Sequence, residues 1–230
     1  MTTAPIHRWD LDPAAARALQ VELAGRVDIS TPAAPFRVVA AADVSFDRGS
    51  PILFATVVLW DAQTGALVER AGVVDPADFP YVPGLLSFRE APAILRAFDL
   101  LKGRPDLILC DGQGTAHPRR LGVASHLGLW LDLPTVGVAK SRLCGTHAEP
   151  GPDRGDRAPL MDKGEVVGDV LRTRRGVKPL YVSPGHRIDR EGAVAAVLAC
   201  LGKYRLPIPS RLAHEVVNDL RRTAKASPPR

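Results

Sequence analysis

The apolar positions of this chain follow two different periods. Residues 36–45, 51–61 and 66–74 read as three successive strands, and the last two are joined by the turn-like segment Ala62-Gln63-Thr64-Gly65. Three strands in a row predict an antiparallel meander. A helix precedes them: Asp12 in front of Pro13 is a start signal, and the helix runs to about residue 26. Beyond residue 86 helical and strand patterns alternate. Residues 87–101 read as a helix, 107–110 as a short apolar strand covered on both faces, and 119–131 as a helix with Leu121, Ala124, Gly128 and Leu131 on one side. Residues 135–139 read as a second covered strand, and 192–201 and 210–224 as helices. Strand-helix-strand order predicts a parallel part of the same sheet. The expectation is one α/β domain over 1–230, with a mixed sheet (antiparallel meander plus parallel strands) flanked by helices. Residues 146–164, rich in Gly, Pro and charge, read as a mobile surface loop, and 227–230 as a frayed tail.

With 46% hydrophobic and 24% charged residues, the chain can bury a sizeable core. No apolar run approaches the ~18 residues of a membrane span, and the first ten residues lack the layout of a signal peptide. A cytoplasmic location with no membrane partner is expected. The three cysteines, Cys110, Cys144 and Cys200, form neither a metal pattern nor a disulfide framework. A net charge of +5, with basic clusters around 119–120, 172–178 and 211–225, favours a polyanionic partner, although solvated basic faces would look the same.

Three acids change the picture. Asp43 shares a strand face with Val39 and Ala41, where a charge costs stability unless it is compensated. Asp111 follows the apolar run 107–110, at the carboxyl end of a parallel strand, where open α/β sheets place ligands; glycines follow it. Glu90 reads two ways. Ser87-Phe88-Arg89-Glu90 matches a capping box, in which the glutamate only satisfies backbone amides. Pro92 argues instead for a helix starting nearer residue 91, which frees Glu90. Three carboxylates meeting in one cleft are hard oxygen ligands for Mg²⁺, with Mn²⁺ as a substitute, and two such ions can drive phosphodiester hydrolysis.

At these residues the sequence resembles the endonuclease V family. The likeness includes Asp43-Val44-Ser45-Phe46, the run 80–90 (Pro-Tyr-Val-Pro-Gly-Leu-Leu-Ser-Phe-Arg-Glu), Asp111-Gly112-Gln113-Gly114 and His117-Pro118-Arg119-Arg120. It continues through Gly137-Val138-Ala139-Lys140-Ser141, the run 179–186 and Arg205-Leu206-Pro207, spanning roughly 36–220. The resemblance implies a ribonuclease H-like fold and Asp43, Glu90 and Asp111 as catalytic metal ligands, with His214 as a fourth catalytic position. It implies hydrolysis of the second phosphodiester 3′ to inosine, leaving 3′-hydroxyl and 5′-phosphate ends. DNA containing deoxyinosine is the implied partner, inosine RNA the alternative, and a monomer the expected state.

In that scheme Pro80 and Pro83 stiffen a loop that holds Tyr81 outward beside Val82, so that its ring can wedge into a base stack. Gly84, Leu85, Gly112 and Gly137 are candidates for a pocket in which backbone groups read the edge of hypoxanthine. Lys140 either holds a phosphate or is a solvated strand-end lysine. His117 either meets the nucleic-acid backbone at a helix N-terminus or caps that helix in solvent. His126 is structural.

Overall fold

The computed structural model describes residues 5–47 and 49–226; the tail at 227–230 lies outside them. The expected meander forms from β1 (Val38–Phe46), β2 (Ile52–Asp61) and β3 (Leu67–Pro76), antiparallel throughout. In front of it α1 (Pro13–Ala24) is capped by Asp12, whose carboxylate accepts from the amides of Ala14 and Ala15. On the other side of β1 lie β4 (Leu107–Cys110) and then β5 (Thr135–Ala139), both parallel as expected.

The sheet then continues beyond the sequence reading. β6 (Arg157–Asp162), β7 (Glu165–Leu171) and β8 (Leu180–His186) complete eight strands in the order β3-β2-β1-β4-β5-β8-β7-β6. Residues 146–164 are therefore not one loop: their last third is β6, hairpinned to β7. The turn is Lys163-Gly164, both residues at positive φ (55° and 83°), a two-residue geometry whose twist matches the flanking strands. β8 is a strand despite Pro184 and Gly185. Its Pro184 carbonyl turns to the Thr115 amide (2.8 Å), and Gly114 packs so close that a Cβ there would meet that carbonyl at 2.0 Å.

Helices cover both faces. α2 (Leu86–Asp99) and α3 (Val123–Leu131) pack on one, burying Ala40, Ala42, Ile108 and Cys110 against Ile94, Ala97, Phe98 and Leu127. α4 (Arg190–Ala199) and α5 (Ile208–Ala226) cover the other, with Val39, Ala41, Leu107 and Leu109 against Val194, Val197 and Ala213. α3 starts four residues later than its pattern suggested. Arg120 takes a left-handed φ of 59°, and Gly122 lies so near the Gln113 carbonyl that only a glycine fits, so 119–122 form a turn. This two-faced arrangement sorts the acids: residue 43 shares the parity of 39 and 41 and faces α5, whereas α2 lies on the opposite face.

Candidate active site

Asp43 is buried near the end of β1, where the apolar pattern would place a valine or alanine. Its Oδ2 accepts from Nδ1 of His214 on α5 at 2.8 Å, and its Oδ1 from the Val44 amide at 2.9 Å. His214 is thus half-exposed but turned into the cleft, because Ala213 and Val217 take the buried positions of its helix. Asp111 follows β4, and its amide continues the β1 pairing by donating to the Ala42 carbonyl. Its carboxylate is paired with the Lys140 ammonium at the end of β5. Neighbouring strands β1, β4 and β5 therefore deliver Asp43, Asp111 and Lys140 to one edge of the sheet.

Glu90 arrives from α2. Neither sequence reading of it holds: α2 begins at Leu86, with no side-chain cap, and runs through Pro92, so Glu90 sits within the helix. Ser87 makes no capping box; its hydroxyl reaches Nδ1 of His126 at 3.1 Å. Burial first, then the charges of Asp111 and Asp43, push the Glu90 carboxyl up to about 8. Burial and Asp111 raise Asp43 as well, opposed by His214 and Lys140. Asp111 lifts the proton affinity of both Asp43 and Glu90, and Asp43 lifts that of Glu90, as expected of like charges sharing a site. Among the described residues, no three His, Cys, Asp or Glu side chains form a ready-made metal cage. The donor set nonetheless suits a hard divalent cation: all oxygen, mutually repelling, and gathered where a charge of +2 would relieve the repulsion.

Glu90, Asp111 and Lys140 open into a cavity of about 330 Å³, whose walls include Gly84, Gly112, His117 and Leu143. Leu85 and Gly137 are not among its lining residues. Leu85 is fully buried against Ala16, Phe79 and Phe88, and its amide is taken by the Val82 carbonyl. Gly137 is a spacer: a Cβ there would meet the Gly114 nitrogen at 2.3 Å, so it lets β5 lie against the 112–114 turn. Gly84 lines the cavity, but its carbonyl already accepts from Gln20 Nε2, His117 Nε2 and Arg119 Nη2. His117 is buried and held near pKa 4, first by burial and then by Arg119. It lies in the 117–120 turn rather than at a helix start, and acts as a neutral brace between that turn and the 80–84 loop.

The sequence reading missed Gln20, Ser87, Gln113 and Ser141–Leu143, which also line the cavity. Gln20 had a signal: it lies between Ala16 and Leu23 on the buried stripe of α1, where a glutamine needs partners. It finds the carbonyls of Gly84 and Leu121 (3.1 and 2.7 Å). Tyr81 stands 57% exposed, with its ring 6.2 Å from that of Phe46. The loop beneath is pinned by Arg89, whose Nη1 donates to the Phe79 carbonyl at 2.7 Å.

Residues 21–215 match the family model described as Endonuclease V. The chain belongs to the endonuclease V family. It is similar to the Endonuclease V of Azotobacter vinelandii, 52% identical over 218 residues, which cover 95% of this chain and 99% of the relative. A crystal structure of Endonuclease V from Streptomyces avermitilis superposes with a TM-score of 0.90 at 45% identity, covering 94% of this chain and 96% of that one. A Ciona intestinalis Endonuclease V, crystallised with a 23mer DNA containing an inosine followed by a ribo-adenosine, superposes at 0.80 with 25% identity, covering 91% and 97%. The family members are nucleases, and the ribonuclease H-like mixed sheet read from the sequence is their fold. Among the described residues, no helix is long and apolar enough to cross a membrane.

Proposed function

We propose that this nuclease hydrolyses the second phosphodiester bond 3′ to inosine, leaving 3′-hydroxyl and 5′-phosphate ends. Asp43, Glu90 and Asp111 hold Mg²⁺, or Mn²⁺ in its place. The observation that carries this reading is the convergence of Asp43, Glu90 and Asp111, with Asp111 raising both other carboxyls, beside a cavity of about 330 Å³ lined by Glu90 and Asp111. The Ciona relative's complex with inosine-containing DNA supports the choice of substrate. Bound metal supplies a nucleophilic water at neutral pH and neutralises the leaving oxygen.

The chain's own residues do the rest. His214 orients Asp43 through Nδ1 and keeps Nε2 for a water or phosphate oxygen. The Lys140 ammonium, half-exposed beside Asp111, stabilises charge developing on the scissile phosphate. Tyr81 fills the gap left by an extruded base. The base enters the cavity beside Gly84 and Gly112, and the positive φ of Gly112 (152°) leaves its backbone open to close approach. The protein works as a cytoplasmic monomer in this reading.

A labelled strand with one deoxyinosine, incubated with Mg²⁺, tests it. Cleavage at a fixed 3′ offset, lost in EDTA, is expected. Cleavage indifferent to inosine would make the protein a general nuclease, and binding without cleavage a reader. The same strand with inosine in RNA sets the preferred sugar.

A further inference from the structure

The basic residues around 172–178 take no part in the carboxylate site, yet they border it. Of these, Arg172 and Lys178 line a second cavity of about 510 Å³, and Lys140, Ser141 and Arg142 form the wall it shares with the base-sized cavity. Two arginines build this second cavity. Arg205 Nη2 donates to the carbonyls of Lys140 (3.0 Å) and Pro179 (2.8 Å), tying the end of β5 to the start of β8. Arg172, its side chain mostly buried, pairs with Glu149 and donates to the carbonyls of Gly151 and Val177. Glu149, the carboxylate among the lining residues, is thereby neutralised.

Arg142 and Lys178 are left over. Among the described residues neither side chain has an ion pair or a hydrogen bond. Many other basic side chains are paired: Arg120 with Asp162 and Glu165, Arg221 and Lys225 with Asp47, Arg211 with Glu215. Two exposed, unneutralised cations in one concave surface, next to Lys140, suit a phosphodiester backbone better than a lone anion. Such charges attract phosphates through counterion release.

We infer that this cavity binds the substrate strand immediately 3′ of the cleaved bond, with Arg142 and Lys178 on its phosphates. The inference rests on the cleavage reading above, which also sets the polarity. The lesion is held on the Tyr81 and Gly84 side, the bond is cut on its 3′ side at Asp111 and Lys140, and the strand that passes Lys140 is therefore the 3′ portion.

The test uses strands with one deoxyinosine, a constant 5′ arm, and one to four nucleotides beyond the cleaved bond. The wild-type KM is expected to fall about tenfold as the 3′ arm grows from one to three nucleotides. In R142Q/K178Q that gain disappears, and the salt dependence of binding becomes shallower by about two phosphates' worth. The R142K/K178R protein, which keeps both charges, restores the length dependence. Thermal unfolding of each variant at the wild-type midpoint establishes folding. A double variant that keeps the 3′-arm gain overturns the inference while leaving the cleavage reading intact. Wild-type protein that does not cut inosine strands overturns both.

Discussion

Two clusters of titratable groups lie against α2, and they are built on opposite principles. Behind the cavity, His126 on α3 meets His7 from the N-terminal segment. His7 Nδ1 donates to the Arg8 carbonyl, which leaves Nε2 to accept from Trp130 Nε1 (3.1 Å) and His126 Nε2 (2.7 Å). His126 Nδ1 then accepts from Ser87 Oγ. With both imidazoles neutral every ring nitrogen is satisfied, and Trp9 stacks on Trp130 to seal the cluster. On the cavity side, the charges of Asp111 and Asp43 raise Glu90, and Asp111 raises Asp43, with His214 and Lys140 only partly opposing them. Burial lowers both histidines and raises Glu90 and Asp43; in each case it selects the neutral form. The difference is that the histidines gain partners by being neutral, and the acids do not. Internal satisfaction marks structure, and shared repulsion marks chemistry.

The largest test of that contrast is Asp111→Asn. Cleavage of an inosine strand should fall at least ~10³-fold, as for other losses of charge at a reacting phosphate. Urea unfolding of the metal-free protein should show no loss of stability, because a charge that raises both neighbours has been removed. A loss beyond about 1 kcal/mol would make Asp111 a structural acid. His126→Ala should do the reverse. Emptying a buried ring and orphaning two partners costs ~2–4 kcal/mol. The folded fraction should still cut within about tenfold of the wild-type rate, since the His126 side chain reaches the cavity wall through the Ser87 hydroxyl and not through an acid.

Tyr81→Ala comes next. Losing one stacking surface weakens binding of inosine strands by ~1–3 kcal/mol, read by fluorescence anisotropy. Unfolding should be unmoved, because the ring is mostly in water. Normal affinity in the variant would reduce Tyr81 to a loop residue.

Much of this contrast was legible beforehand, and the gaps have physical causes. β2, β4 and β5 are readable because they carry nearly continuous apolar runs bounded by turns, and β3 because the turn at 62–65 leads into it from β2. β8 was not, because Pro184 and Gly185 are ordinarily turn residues, and only the tertiary approach of the 112–115 segment explains them. Nor was β6 readable, since its hairpin turns on Lys163 rather than on Asn or Asp before Gly164. Asp43 and Asp111 can be nominated from strand position and Glu90 only from a helix start, but their convergence needs sheet order and the packing of α2. His126 was assigned to structure from the start. His117 was misplaced because its partner, the Gly84 carbonyl, lies 33 residues away along the chain. Gly137 and Leu85 show the limit of motif reading: both belong to segments that shape the site, yet one spaces backbones and the other fills a core.

The smallest effects concern pH, where the two clusters should pull in opposite directions. His7, His117, His126 and His186 all have lowered values in the folded protein, with His117 near 4. Below the unfolded histidine value of about 6.5 the unfolded chain binds more protons, so stability present above that pH is lost as pH falls. Glu90, raised to about 8, has the opposite sign. Its neutral form favours folding at low pH, and that contribution declines from the unfolded carboxyl value near 4.5 until pH passes about 8. Metal-free protein in EDTA should therefore show a denaturation midpoint that falls on both sides of neutrality. The alkaline limb should be worth about 1 kcal/mol once solvent screening of a partly open site is allowed for. Saturating Mg²⁺ should abolish the alkaline limb, because the bound ion takes the place of the Glu90 proton, and steepen the acid limb between about pH 4.5 and 6.5, where the opposing Glu90 contribution is removed as well. Metal uptake at fixed free Mg²⁺ should release a proton and tighten as pH rises toward 8. If Mg²⁺ instead corrected the acid limb, or moved neither, the two clusters would not be independent and the acids would not be the ion's ligands.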